Sequence, residues 1–174
     1  MQRNNMAMSL SEEQGMLLDT AREFCRDRST ISAVRALLDD ERGFDPGVWQ
    51  EMADLGWMGV AVAESYGGSA LGIGSAVPIV ECMGKRLLST PYITSTLAGQ
   101  ALQRSGSNVL CERYLPAIVA GEIATLALVE TEDWGDDCLS LVATDGGETI
   151  SLQGQKTQVA YAGAAELFVV SALY

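Results

Sequence analysis

A chain of 174 residues allows one domain, or one domain and part of another, and 48% apolar against 20% charged residues supplies enough apolar surface for a real core. A formal charge of −12 repels phosphodiester backbones and anionic lipid, which argues against nucleic acid and membrane surfaces as partners. The sequence has no histidine, which excludes Ser-His-Asp and Cys-His catalysis, histidine metal sites and histidine general bases in this chain.

Ser11-Glu12-Glu13-Gln14 is a capping box and starts the first helix, with Leu10, Leu17, Ala21, Phe24 and Cys25 on one face. Ile31, Val34, Leu37 and Leu38 mark a second helix, ended by Arg42-Gly43. Asp45-Pro46 opens a third, Asp as cap and Pro at the first helical position, with Val48, Trp49, Met52 and Leu55 as its stripe and Gly56 as its end. Residues 57–63 form a short apolar run, either extended or a buried loop, and Glu64-Ser-Tyr-Gly-Gly68 is a turn. Helical spacing returns from Ser75 to Leu88 through Val77, Val80, Met83 and Leu87, with Pro78 harmless in the first turn. Another helix runs from Pro91 or Tyr92 to Arg104. The last starts at an Asn108 cap, carries Val109, Tyr114, Leu115 and Ile118, and should kink or break at Pro116.

After Gly121 the period changes. Residues 124–129, 139–144, 149–152, 157–161 and 166–173 read as five strands, the second and third joined by a hairpin at Asp145-Gly-Gly-Glu148. About six helices followed by strands without mixing predicts an α+β chain: an all-helical N-terminal domain over 1–121 and an incomplete antiparallel β-domain over 122–174. The last strand is apolar and the chain stops on it, so the β-domain reads as unfinished.

No apolar stretch reaches the roughly 20 residues of a membrane span, and residues 1–9 lack the apolar region of a signal peptide. A cytoplasmic location is therefore expected. Cys25, Cys82, Cys111 and Cys138 are far apart and read as small hydrophobes. Glu64, Glu81 and Glu130 read as solvated or turn residues, and the cluster Glu130, Glu132, Asp133, Asp136 and Asp137 as a solvated loop, so no metal site is expected.

The ordered set of motifs resembles the acyl-CoA dehydrogenase family of flavoproteins. The similarity covers about residues 9–173. Ser9-Leu-Ser-Glu-Glu-Gln14 resembles the family's opening helix, and Gly43-Phe-Asp-Pro-Gly-Val-Trp49 through Leu55-Gly-Trp57 its third. Ala63-Glu-Ser-Tyr-Gly-Gly68 is similar to its Pro-Glu-Glu-Tyr-Gly-Gly turn. Val80-Glu-Cys-Met-Gly-Lys-Arg86 resembles its Glu-Glu-Leu-Gly-Arg helix. Arg113-Tyr-Leu-Pro116 with Ala120-Gly-Glu122 resembles the element that closes the helical domain.

The resemblance implies FAD, held in part by two β-domain motifs. The family's Ala-Leu-Thr-Glu-Pro followed by Gly-Ser-Asp reads here Ala127-Leu-Val-Glu-Thr131, then Trp134-Gly-Asp136. Its Asn-Gly-x-Lys-x-Trp-Ile-Thr reads Gln153-Gly-Gln-Lys-Thr-Gln-Val-Ala160. By resemblance Leu128, Val129, Gln158, Val159 and Ala160 line the flavin ring. Val129 and Ala160 have lost the threonine hydroxyl and Gln158 the indole wall, while backbone N–H contacts from 127–130 and 158–160 need no particular side chain. The substrate implied is an acyl-CoA thioester undergoing α,β-dehydrogenation, with Tyr66 and the helices around 80–100 shaping the acyl pocket. The family's catalytic carboxylate belongs to a C-terminal helical domain, so no catalytic residue is expected in this chain. Two functions follow: the N-terminal part of such an enzyme, or a catalytically silent partner in a homo- or hetero-oligomer of dehydrogenase subunits.

Overall fold

The structure is a computed structural model that describes residues 10–132 and 138–174. The first helix starts at the expected capping box: Gln14 N donates to Ser11 Oγ at 3.2 Å and Ser11 N to Gln14 Oε1 at 3.1 Å. This helix, α1 (Glu12–Arg28), buries Ala21 and Cys25, with Leu17 and Phe24 packed beside them, while Leu10 stays exposed. The second, α2 (Ile31–Ala36), is shorter than its pattern, and Ile31 and Leu38 face solvent. In α3 (Pro46–Asp54), Asp45 caps the helix by accepting from Gly47 N at 2.7 Å and Val48 N at 3.2 Å. Trp49 and Met52 are buried, and Trp49 Nε1 donates to Gly121 O at 2.7 Å, which fastens α3 to the end of the helical part.

Residues 57–63 resolve as buried loop: Trp57–Gly59 make a single 3-10 turn, and Trp57, Met58, Val60 and Val62 all lie in the core. The turn that follows is forced tight by Gly68. A Cβ there would stand 2.1 Å from Val62 O and 2.7 Å from Gly59 O.

The fourth helix, α4 (Val77–Arg86), is preceded by a 3-10 turn over Ile73–Ala76, which shifts the phase of the predicted stripe. Its buried face is Pro78, Ile79, Cys82 and Met83. Val77 is exposed, and Leu87 leaves the helix in the left-handed region with its side chain in solvent. Then come α5 (Tyr92–Arg104) and α6 (Asn108–Val119). Ser107, not Asn108, is the cap of α6, its Oγ accepting from Leu110 N at 3.4 Å. The helix continues through Pro116. The missing N–H would have served the carbonyl of Glu112, on the exposed face, where water can replace it.

Four strands follow among the described residues: β1 (Ala124–Ala127), β2 (Val142–Asp145), β3 (Ile150–Gln153) and β4 (Leu167–Val170). The α+β reading holds. β2 and β3 form the predicted antiparallel hairpin, with Val142 opposite Gln153, and the Asp145 carboxylate accepts from Gly147 N at 2.7 Å in its turn. The other pair differs from the antiparallel expectation: β4 runs parallel to β1, Ala124 beside Leu167 and Ala127 beside Val170. Residues 157–161 are a turn and not a strand, because Gln158 and Tyr161 have φ of 52° and 55°, outside the extended region. α5 packs on β1, and two apolar clusters meet along it. One is built around Trp57, Ile79 and Tyr92, the other around Ala98, Leu115 and Ala124.

Candidate functional site

Three side-chain bonds pin the 157–161 turn to the helices. Thr125, wholly buried on β1, donates from Oγ1 to Ala160 O at 2.7 Å. Its one hydrogen is then spent, so in the 2.8 Å contact between Thr94 Oγ1 and Thr125 Oγ1 it is Thr94 of α5 that donates. Ser89 Oγ and Tyr161 Oη share a third bond of 2.8 Å, and the Tyr161 ring meets Phe44 edge to face at 5.7 Å. Burial keeps the Tyr92 phenol, at the start of α5, well above its ordinary pKa and therefore neutral.

These bonds hold the turn off α4 and α5 and leave a cavity of about 620 Å³ between them. That volume lies within the roughly 300–1,000 Å³ of small-molecule and cofactor sites. One wall is Val80 and Met83 of α4 with Ile93, Thr94 and Leu97 of α5; the other is Leu126, Leu128 and Val129 leaving β1 with Thr157, Gln158, Ala160 and Tyr161 of the turn. A second, apolar groove of about 360 Å³ adjoins it and shares Val80, Ile93 and Leu97.

Leu128, Val129, Gln158 and Ala160 therefore stand together on one wall, although 28 residues separate the two segments at their nearest bond, Thr157 N donating to Val129 O at 2.7 Å. Val159 does not line the cavity, and Tyr66 packs against the cluster around Ala98 instead. Sequence reasoning missed the hydroxyls. Thr94 in the helix and Thr125 in the strand are common residue types with no motif, and only their convergence in the fold reveals them.

Glu130 overturns its solvated reading. Lys156 Nζ reaches Glu130 Oε1 at 2.6 Å with both side chains almost wholly covered. Glu130 also accepts from Ser140 Oγ and from Ser140 N and Leu141 N at 2.8 and 3.0 Å, while Lys156 donates to Leu128 O at 3.2 Å and Ser171 Oγ at 2.9 Å. The Lys156 ammonium, then the Ser140 hydroxyl and the Leu141 amide, hold the Glu130 carboxyl down at about 2. This pair locks the exits of β1 and β4 together directly behind Leu128 and Val129. Glu64 and Glu81 are exposed as read, with Glu81 paired to Lys85. Of the acidic cluster, Asp133, Asp136 and Asp137 lie outside the described residues, as does Trp134-Gly-Asp136. All four cysteines are free thiols, three of them buried.

The cavity's walls are made by elements that recur in one group of proteins. Residues 11–122 match the family "Acyl-CoA dehydrogenase, N-terminal domain". Benzylmalonyl-CoA dehydrogenase of Aromatoleum aromaticum is 31% identical over 96% of this chain and 45% of its own length. Acyl-CoA dehydrogenase FadE27 of Mycobacterium tuberculosis is 34% identical over 76% of this chain and 35% of its own. Among solved structures, a chain of the ChsE4-ChsE5 complex from Mycobacterium tuberculosis superposes with a TM-score of 0.86 at 29% identity, covering 96% of this chain and 45% of that one. The Tcur3481-Tcur3483 steroid ACAD G363A variant gives 0.85 at 30% identity, over 94% and 45%. This chain belongs to the acyl-CoA dehydrogenase family, and it spans less than half the length of these relatives. No described helix is long and apolar enough to cross a membrane.

Proposed function

We propose that this chain is the N-terminal part of an FAD-dependent acyl-CoA dehydrogenase-like oxidoreductase, with a helical domain over 1–121 and the first part of a flavin-holding β-domain over 122–174. The observation that carries it is the cavity. Its β-side wall is made by the two segments that correspond to the family's flavin motifs, and its other wall by α4 and α5. The residues present fit a flat, largely apolar ring: Leu128, Val129 and Ala160 offer smooth apolar surface, and Gln158, in the left-handed region, offers an amide at the rim. FAD, when bound, supplies a two-electron acceptor for the β-hydride of an acyl-CoA thioester.

The chain's own residues position and dry the site. The apolar face of α5 excludes water, and the Thr94–Thr125–Ala160 relay fixes the turn. None of the described residues that line the cavity is a carboxylate, and we assign no α-proton base within this chain. Glu130, held ionised and hydrogen-bonded on all sides, is a positioning group. A cytoplasmic location suits four free thiols.

The second reading is a catalytically silent subunit in a homo- or hetero-oligomer of dehydrogenase subunits. What favours it is the bare apolar wall at Val129 and Ala160, where hydroxyls would hold a flavin edge, together with similarity to a chain from a two-component complex. A visible absorption titration with FAD separates the two. Band structure near about 450 nm that stays with the protein through gel filtration, and is lost in Leu128→Trp, supports the flavin site. A chain that remains colourless with excess FAD overturns it and leaves the partner reading, which co-purification with a second dehydrogenase subunit then tests.

A further inference from the structure

The groove that adjoins the cavity is apolar surface that the flavin wall does not use. It lies between α4 and α5, holds about 360 Å³, and shares Val80, Ile93 and Leu97 with the cavity. Ile73, Val77, Ile93 and Leu97 along it are each between 40% and 54% exposed, so a continuous band of large apolar side chains is open at the surface. Contiguous exposed apolar surface of this kind marks a binding groove. Among the described residues, neither the cavity nor the groove is lined by a Lys or an Arg. The one charged residue is Glu81, in the groove, and its carboxylate is taken up by Lys85.

Resting on the reading of the cavity as an acyl-CoA site, we propose that the groove seats the far end of a long, uncharged acyl chain, with Ile73 and Val77 as specificity-determining residues. The substrate class is then a long-chain acyl thioester, not a short or carboxylate-ended one. Continuity carries the assignment: three residues belong to both walls, so a chain that starts in the cavity enters the groove without leaving apolar surface. Each methylene moved from water to such surface is worth about fourfold in affinity when fully buried and about twofold when half covered, so the groove rewards length. A terminal carboxylate would lose its water without meeting a cation, and would meet the Glu81 carboxylate instead.

The test titrates the chain with hexanoyl-CoA, dodecanoyl-CoA and dodecanedioyl-CoA, each below the concentration at which it forms micelles. Dodecanoyl-CoA binds about fiftyfold tighter than hexanoyl-CoA, the worth of about six half-covered methylenes. Dodecanedioyl-CoA binds at least about tenfold weaker than dodecanoyl-CoA. Val77 lines the groove but not the cavity, and as the first residue of α4 it can carry an acid without threatening the helix. Val77→Asp brings the dodecanoyl-to-hexanoyl ratio below about fivefold, and Val77→Ile keeps it. Leu38→Asp, at an exposed leucine that lines neither space, also keeps it, which separates a seated chain from unspecific adsorption. A ratio that survives Val77→Asp, or dodecanedioyl-CoA binding as tightly as dodecanoyl-CoA, overturns the assignment and leaves the groove to another occupant, such as a second polypeptide. Failure of all three thioesters to bind sinks the acyl-site reading and the groove with it. Hexanoyl-CoA binding without any preference for length sinks only the groove.

Discussion

Lys156 Nζ stands 2.6 Å from Glu130 Oε1, and the two side chains are 6% and 5% exposed. Two charges taken out of water are tolerated only because every remaining valence is used, by Ser140, Leu141, Leu128 and Ser171. Removing one partner leaves the other buried and uncompensated. Lys156→Met and Glu130→Gln should each lower the unfolding midpoint clearly, Lys156→Met more, because a naked carboxylate remains. The double variant should recover part of the loss. Chemical denaturation of the four proteins gives the coupling directly, and losses that simply add would show that the pair does not act as a unit.

The same carboxylate predicts an acid limb. Its pKa falls from an ordinary 4.5 to about 2 on folding, so its ionised form contributes stability that is complete above about 4.5. That contribution is lost as pH falls from 4.5 through about 2. Urea midpoints measured across this window should fall more steeply for the native chain than for Glu130→Gln. Equal slopes would mean that other acids carry the limb.

Val129 and Ala160 lack hydroxyls on the wall assigned to the flavin. Val129→Thr and Ala160→Thr each add a donor at the cavity surface, and one hydrogen bond contributes about 0.5–1.5 kcal/mol. Each should tighten FAD binding by roughly three- to tenfold in the absorption titration. Unchanged affinity in both would place the ring elsewhere.

Gly68 has no room for a side chain, with Val62 O and Gly59 O inside the reach of any Cβ. Gly68→Ala should destabilise the chain by about 3 kcal/mol or more, the upper range for overpacking. Gly84→Ala, where nothing lies within 4 Å of the added carbon, is the control. It should be neutral or slightly stabilising, as Ala is in a helix. Thermal melts of the pair decide it.

What was legible in the sequence followed from local chemistry. Ser11 with Gln14, and Asp45 with Pro46, start helices wherever they stand, and the hairpin around Gly146 needs only its own turn residues. The parallel mate of β1 was not legible, since no property of Leu167–Val170 distinguishes a parallel neighbour from an antiparallel one. The turn at 157–161 looked like a strand because Val159 and Tyr161 favour one. Thr125 and Ser89 overrule that preference by drawing Ala160 and Tyr161 to the helices. Glu130 looked like any acid in a polar loop, and its burial depends on Lys156, which only the folded chain brings to it. The wall residues Leu128, Val129, Gln158 and Ala160 were found through a motif.

The parallel pairing of β1 with β4 bears on the order in which the molecule assembles. Helices α1 to α6 are mostly local structure, whereas Ala124 meets Leu167 only after the whole intervening chain has closed into a loop. The helical part can therefore condense while the β-side wall of the cavity is still unformed. A nascent or partly unfolded chain would present α5 with its Ile93–Leu97 face open on both sides. In native-state hydrogen exchange, the amides of β4 should open at lower free energy than those of α5, so the cavity is lost before the fold is.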